Sequence, residues 1–201
     1  IQKKIVLLQQ NTLKIMKQTN FRLILLLLMA VLYLNTLLAD NRDLMVRCVA
    51  FYNLENLFDT IHDEGKNDYE YLPDGGMKWT SLKYQNKIQN MAYAISQLGT
   101  DEDPRGAAIV GVSEVENIGC LHDLCRELKE KHNRNYVPIL LEGPDRRGID
   151  VGLLYNPDMF KPVGQPKGYE LKAHYADGGV VRSRLQLWVS GYMLDDNRKI
   201  V

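Results

Sequence analysis

The sequence predicts an α/β fold built around a mixed central sheet. Short apolar segments rich in β-branched and aromatic residues alternate with segments whose apolar residues recur at helical spacing. Polar stretches containing glycine or proline separate the two kinds of segment. This alternation is typical of a sheet covered by helices. We expect its strand order to differ from that of a doubly wound nucleotide-binding sheet.

The elements follow one another in a regular order. Five strands are predicted, over 46–52, 107–112, 136–141, 150–155 and, with a less regular pattern, 184–194. The first helix is predicted to begin at a cap, Thr80 or Ser81, and to end at Gly99. The second helix is marked by Leu121, Leu124, Cys125 and Leu128. A hairpin turn is predicted at 195–198.

The start of the chain carries a pattern of its own. The first 39 residues hold five basic residues and no acidic one, and the run LILLLLMAVLYL (23–34) is apolar and uncharged. Small Ala39 then precedes a polar stretch, which completes the pattern of a secretory signal peptide. The alternative is a transmembrane anchor, which needs about 20 apolar residues. We therefore expect an overextended start (1–15), a signal peptide (16–39) and a mature protein (40–201) that is secreted or periplasmic.

The remaining chain is acidic. The whole sequence has a formal net charge of zero, and the residues after Ala39 hold 20 basic and 25 acidic side chains, a net charge of −5. Proteins that bind duplex DNA tightly tend to present basic surface, because phosphate contacts dominate their affinity. The balance therefore disfavours tight duplex binding. The three cysteines, Cys48, Cys120 and Cys125, lack the spacing of a metal site and are predicted to be buried hydrophobic residues.

Polar side chains follow each of the first two predicted strands. They are Asn53, Glu55 and Asn56 after the first strand, and Glu114, Glu116 and Asn117 after the second. Ligands of α/β sheets gather at the carboxyl ends of strands, and oxygen ligands suit Mg²⁺, Mn²⁺ or Ca²⁺ better than zinc. The alternative is that Asn53, Glu116 or Asn117 only caps the segment that follows it. The residues by themselves leave both interpretations open.

Three segments in order resemble the endonuclease/exonuclease/phosphatase superfamily, the metal-dependent phosphoesterases that include the DNase I-like nucleases. They are FYNLENLFD (51–59), VGVSEVEN (110–117) and GPDRRGIDVGLLYNP (143–157), within a resemblance that spans about 46–194. One departure is Ser113, where the family usually has Gln. The resemblance implies a four-layer α/β sandwich of the DNase I type.

The resemblance also implies roles for individual residues. Glu114 matches the family's metal-ligating glutamate, and Asn53 matches the asparagine beside the metal and the scissile phosphate. Asp150 falls where many members place a polar or acidic group near the catalytic histidine. Arg182 and Asn117 are the expected substrate-binding residues, with Glu116 and Asn117 also expected to cap the turn or line the rim. The implied cofactor is one or two divalent ions, Mg²⁺ or else Mn²⁺ or Ca²⁺.

These residues predict that the full-length protein hydrolyses phosphoester bonds. A cation on Glu114 polarises the phosphoryl oxygen, and the amide of Asn53 holds the oxygens of the transition state. The expected substrate is a nucleic acid, a nucleotide or a phosphorylated small molecule, and the expected protein is a monomer with no stable protein partner. The alternative is a secreted binding module that keeps the fold without catalysis, which Ser113 in place of Gln would suit.

The family's later motifs do not occur before Val201. They are a histidine after the next strand, a Gly-Asp-x-Asn segment and a terminal Ser-Asp-His. The histidines present are interpreted as solvated or structural; they are His62, His122, His132 and His174. We therefore expect the 201 residues to be the N-terminal portion of a larger domain, inactive and poorly folded alone, with an exposed sheet edge near 184–201. The general base and the phosphate-binding histidine are expected beyond residue 201.

Overall fold

The computed structural model describes residues 45–200 except 172 and 182, together with five helical residues at positions 23, 26, 27, 29 and 30. The chain divides into two units, Ile1–Leu44 and Met45–Val201. Apart from those five positions, the predicted overextended start (1–15) and signal peptide (16–39) lie outside the described residues. In the part of the chain that is described, no helix has the length and apolar character needed to cross a membrane.

A four-stranded mixed sheet forms the centre of the second unit. Its strands are β1 (Val49–Leu57), β2 (Ile109–Val115), β3 (Val137–Leu140) and β4 (Asp150–Tyr155), in the spatial order β1-β2-β4-β3. β1 runs parallel to β2, and β4 runs antiparallel to both of its neighbours. The prediction that the segments around 46–52, 107–112 and 150–155 share one α/β sheet is confirmed.

Two helices follow the first two strands in the sequence. α1 (Ser81–Gln97) begins at Thr80, whose hydroxyl accepts a hydrogen bond from an amide of the first turn. α2 (Ile118–His132) begins at Asn117, whose Oδ1 accepts one from the Cys120 amide. Such caps satisfy amides that the helix itself leaves unpaired. Of the two caps considered for the first helix, Thr80 is the one used.

The helices pack against one face of the sheet and bury an apolar core between them and the strands. The fully buried members include Leu54, Leu57, Ile95, Val110, Val112, Leu121, Leu124, Leu128 and Leu154. Each buried aliphatic side chain of this size stabilises the fold by about 1.5–3 kcal/mol. The other face of β1 remains open, with Val49 62 % and Phe51 68 % exposed.

The prediction of one strand over 184–194 is wrong. The segment forms two short strands, β7 (Gln186–Trp188) and β8 (Gly191–Met193), which pair with different partners. β7 pairs with β6 (Lys167–Tyr169), and β8 pairs with β5 (Phe160–Pro162). Gly191 lets β8 approach β5 closely, because a Cβ at that position would overlap the Phe160 ring. The predicted turn at 195–198 is present, and Asp195 Oδ1 accepts hydrogen bonds from two amides within and after it.

Candidate functional site

The polar end of β1 is a bulge within the strand. β1 continues to Leu57, so the expectation that the strand ends before Asn53 is wrong. Its pairing with β2 shifts between Asn53 and Leu57, where Glu55 (φ 52°) and Asn56 (φ 60°) adopt the left-handed conformation. From Asn53 to Leu57, β1 advances four residues where β2 advances two, so β1 carries two extra residues. The bulge places Glu55 and Asn56 between Leu54 and Leu57, which both reach the core and are fully buried.

Asn53 lies on the open face of β1, at the start of this bulge. Its Oδ1 accepts a hydrogen bond from the Glu55 amide at 2.8 Å. The Glu55 carbonyl in turn accepts one from Lys87 Nζ at 2.7 Å. The side chain of Asn53 is therefore held by its own turn, and its amide oxygen already has a donor.

A second bulge displays Glu114 at the end of β2. Glu114 has φ 60°, and the pairing of β2 with both neighbouring strands shifts around it. Val115 remains fully buried while the Glu114 side chain is 22 % exposed. Because β1 and β2 are parallel and Asn53 pairs with Ser113, the two bulges lie next to each other at the same end of the sheet. Left-handed backbone at non-glycine residues concentrates at functional sites.

Glu116 and Asn117 hold the turn that follows β1. Glu116 is 3 % exposed, and its Oε2 accepts a hydrogen bond from the Asp59 amide at 2.8 Å. Asn117 caps α2 and also donates from Nδ2 to Asp59 Oδ2 at 3.3 Å. Burial raises the pKa of Glu116 to about 8. Both side chains thus stabilise the loop after β1, as the sequence predicts for Glu116. A role for Asn117 in substrate binding stays a prediction.

Asp150 is a buried carboxylate at the start of β4. It is 1 % exposed and pairs with Val115, so its position in the sheet is next to that of Glu114. Neither of its carboxylate oxygens has a hydrogen-bond partner among the described residues. The backbone of Gly143 packs against the Asp150 carboxylate so closely that a Cβ at position 143 would lie 2.7 Å from Asp150 Oδ1. Burial raises the pKa of Asp150.

Arg184 is a site residue that the sequence reasoning missed. Its Nη2 lies 3.8 Å from Glu114 Oε1, and its Nε is buried without a hydrogen-bond partner among the described residues. The predicted substrate arginine, Arg182, lies outside the described residues. The two arginines stand two positions apart before β7, and an alternating pattern gives no reason to prefer one of them.

An aromatic group borders the two bulges. Tyr71 stacks on Phe58 with ring centroids 4.2 Å apart, and Trp79 Nε1 donates a hydrogen bond to the Phe58 carbonyl. Lys87 lies 5.9 Å from the centre of the Trp79 ring. Burial lowers the pKa of Lys87, and the nearby carboxylates of Glu55 and Glu114 oppose that shift. Burial raises the pKa of Tyr71, and the Glu114 carboxylate also raises it, by a smaller effect than that of burial.

Oxygen donors at this end of the sheet fit a hard divalent cation. Glu114 offers an accessible carboxylate, and the buried oxygens of Asp150 lack partners among the described residues. Asp59, Glu116 and Cys120 form a further group whose potential ligand atoms lie within 4.8 Å of one another. Burial raises the pKa of the Cys120 thiol to about 12, so it is protonated at neutral pH and is a poor ligand for a hard cation.

The histidines are structural or exposed where the chain is described, as the sequence predicts. His62 Nδ1 contacts the buried carboxylate of Asp68, and the His62 ring stacks on Tyr69. His174 forms a β-bridge with Val180. His62 and His174 therefore make their contacts with residues other than Glu114.

Fold and site together define an α/β domain whose candidate oxygen ligands lie at the carboxyl ends of two parallel strands. Residues 48–201 match the model of an endonuclease/exonuclease/phosphatase family. The chain therefore belongs to that family, whose activities are of the phosphoesterase and nuclease type and usually depend on divalent metal. Comparison with curated proteins and with solved structures gives no match.

Proposed function

We propose that the full-length protein hydrolyses phosphoester bonds with a divalent cation, Mg²⁺ or Mn²⁺, held by Glu114. The observation that carries this proposal is the left-handed bulge at Glu114. The bulge turns one carboxylate out of the core beside the Asn53 bulge and within 3.8 Å of Arg184. An anionic ligand and a cationic donor at one strand end are suited to a metal-bound phosphate.

Three residues near Glu114 have distinct roles in this proposal. A bound cation supplies charge that polarises the phosphoryl oxygen and neutralises the developing negative charge. Asn53 Oδ1 accepts a hydrogen bond from the Glu55 amide. The Nδ2 group of Asn53 is therefore the one suited to donate a hydrogen bond to a phosphoryl oxygen. The guanidinium of Arg184 donates to a second oxygen, in a charge-assisted hydrogen bond. Asp150 offers buried acceptor oxygens for a cation or for a donor from outside the described residues.

Chelation tests the proposal directly. The full-length protein is assayed with bis(4-nitrophenyl) phosphate, before and after dialysis against EDTA, and again after Mg²⁺ or Mn²⁺ is restored. We expect hydrolysis that disappears with the chelator and returns with the ion. A protein that turns over neither this ester nor a nucleic acid or phosphorylated small molecule, with either ion present, would be the non-catalytic binding module instead.

Arg184→Gln is expected to lower kcat/KM by about 10- to 100-fold, because a charge-assisted hydrogen bond contributes about 1.5–3 kcal/mol. The matched control is Arg126→Gln, since Arg126 is exposed on α2 and pairs with Asp123 of the same helix. Both variants lose one positive charge, so a general electrostatic effect would lower both activities. Unchanged activity of Arg184→Gln would remove this residue from the site.

We also propose that the protein is exported after cleavage near Ala39. The support is the sequence pattern of the first 39 residues. Mass spectrometry of the mature protein is expected to find an N-terminus at or near Asp40, in the periplasm or the medium. An intact N-terminus beginning at Met16 and recovered with the membrane would instead show that the apolar run is an anchor.

A further inference from the structure

A cleft lies between the loop that joins β3 to β4 and the segment around Tyr175. It has a volume of about 250 Å³ and is lined by Asp145, Arg146, Arg147, Tyr175 and Val180. Its charged lining consists of two guanidinium groups and one carboxylate. The cleft does not include Glu114 or Asn53, so the chemistry proposed above does not account for it.

The loop that carries the two arginines is attached to the candidate site at both of its ends. At one end, a Cβ on Gly143 would lie 3.2 Å from Leu185 Cγ, and Leu185 is the neighbour of Arg184. At the other end, Asp150 pairs with Val115, the neighbour of Glu114. A substrate whose phosphate lies at Glu114 therefore has this loop beside it.

Main-chain contacts fix the loop and leave its arginine side chains available. The Arg146 carbonyl accepts a hydrogen bond from the Asn67 amide at 2.8 Å. The Arg147 amide donates to Asp145 Oδ1 at 2.9 Å. Gly148 follows with φ +81°, a conformation that favours glycine. The backbone is thereby held in place without using either guanidinium.

The positive charge of the cleft is only partly neutralised. Arg147 Nε lies 3.6 Å from Asp145 Oδ1, and the Arg147 side chain is 49 % exposed. Arg146 forms no ion pair with any described carboxylate, and it is exposed. Two adjacent guanidinium groups on a fixed backbone, with one loosely paired carboxylate, favour an anion with several oxygens.

We propose that this cleft binds a second phosphate group of the substrate, with Arg146 and Arg147 contacting its oxygens and Tyr175 forming the opposite wall. Its volume is below the roughly 300–1,000 Å³ of pockets that hold a whole drug-sized ligand, and suits a phosphate with part of the adjoining group. This inference rests on the proposed function and narrows it: the preferred substrate carries at least two phosphates. A nucleic-acid strand and a multiply phosphorylated small molecule share that chemistry.

Binding in the absence of turnover tests the subsite. A fluorescein-labelled short single-stranded oligonucleotide and inositol hexakisphosphate are titrated against the full-length protein in EDTA, which removes the catalytic ion. The test protein is the double variant Arg146→Gln/Arg147→Gln, and the control is Arg126→Gln. We expect the double variant to bind at least one probe about tenfold more weakly, with a shallower salt dependence, and the control to match the wild type. The probe that loses affinity identifies the source of the phosphate.

Two outcomes of this titration overturn the proposal. One is equal affinity of the wild type and the double variant for both probes. The other is a wild type that binds neither probe. Because both substitutions retain the main-chain contacts of the loop, circular dichroism and thermal melting of the double variant are expected to match the wild type.

Turnover separates the subsite from the catalytic proposal. Bis(4-nitrophenyl) phosphate has one phosphate, and on this substrate the kcat/KM of the double variant should stay within about twofold of the wild type. On the oligonucleotide or a multiply phosphorylated substrate, kcat/KM should fall because KM rises. Equal losses on both kinds of substrate would place the arginines at the scissile phosphate and overturn the subsite. A wild type without any turnover would refute the proposed function, and the binding titration would still decide the subsite.

Discussion

Glu114→Gln is expected to lower kcat/KM by about a thousandfold, which corresponds to about 4 kcal/mol of transition-state stabilisation. The substitution keeps the size of the side chain and removes the negative charge that holds the cation. The side chain is partly exposed and makes only a 3.8 Å contact with Arg184, so the fold should be unaffected. Steady-state kinetics with saturating Mg²⁺ and a circular dichroism spectrum measure the two effects.

Glu116→Gln is the matched control for that variant. It changes the same chemical group two positions away, and the amide oxygen of Gln can still accept the hydrogen bond from the Asp59 amide. We expect its kcat/KM to stay within about tenfold of the wild type. Equal losses in the two variants, or activity of Glu114→Gln that persists in EDTA, would contradict the assignment of the metal to Glu114.

Asp103→Ala is expected to lower the free energy of unfolding by about 3 kcal/mol, because it breaks a buried ion pair. Asp103 Oδ2 accepts hydrogen bonds from Arg47 at 2.9 Å and from Arg105 at 2.7 Å. The side chains of Asp103 and Arg47 are both 7 % exposed. Removing the carboxylate leaves the buried Arg47 guanidinium with the exposed Asp196 as its remaining acidic partner among the described residues. Urea unfolding of both proteins gives the difference.

Low pH should remove the stabilisation that the Asp103 carboxylate provides. Hydrogen bonds from Arg105 lower the pKa of Asp103 to about 2, below its usual value of 3.8. A lowered pKa means that the stability is present above the unfolded-state pKa and is lost as the pH falls through the folded-state value. The gap between wild type and Asp103→Ala should therefore narrow between about pH 4 and about pH 2.

The control for Asp103 is Asp158→Ala, which breaks an ion pair between the exposed side chains of Asp158 and Arg198. Exposed pairs of this kind contribute about 0–1 kcal/mol, so this variant should unfold close to the wild type at every pH. If the two variants lose the same stability, or if the gap for Asp103→Ala does not change in acid, the buried ion pair does not act as described.

Local patterns in the sequence predict most of the sheet and the helices. The α1 and α2 positions follow from apolar spacing and from their caps at Thr80 and Asn117, because spacing and capping are encoded over a few neighbouring residues. The strand over 150–155 is predicted with its observed bounds. The positions of the elements could therefore be read from short stretches of chain.

The bulges that shape the candidate site could not be predicted in this way. Glu55, Asn56 and Glu114 adopt left-handed backbone because buried residues on either side must reach the core, and that demand comes from the tertiary packing. The position of Arg184 beside Glu114 depends on contacts between distant parts of the chain. The spacing of Arg182 and Arg184 in the sequence does not predict those contacts. The motif selects Glu114 as the candidate ligand, but only the structure shows that Glu114 is partly exposed and that Glu116 is buried.

The most direct test of the central claim is Mn²⁺ binding to the full-length protein, measured by calorimetry or by the paramagnetic resonance signal of the free ion. We expect the wild type to bind Mn²⁺, Glu114→Gln to bind it about a hundredfold more weakly, and Glu116→Gln to bind it within about threefold of the wild type. Equal affinities of the wild type and Glu114→Gln would contradict the account. A loss confined to Glu116→Gln would also contradict it and would place the ion at the Asp59 and Glu116 group.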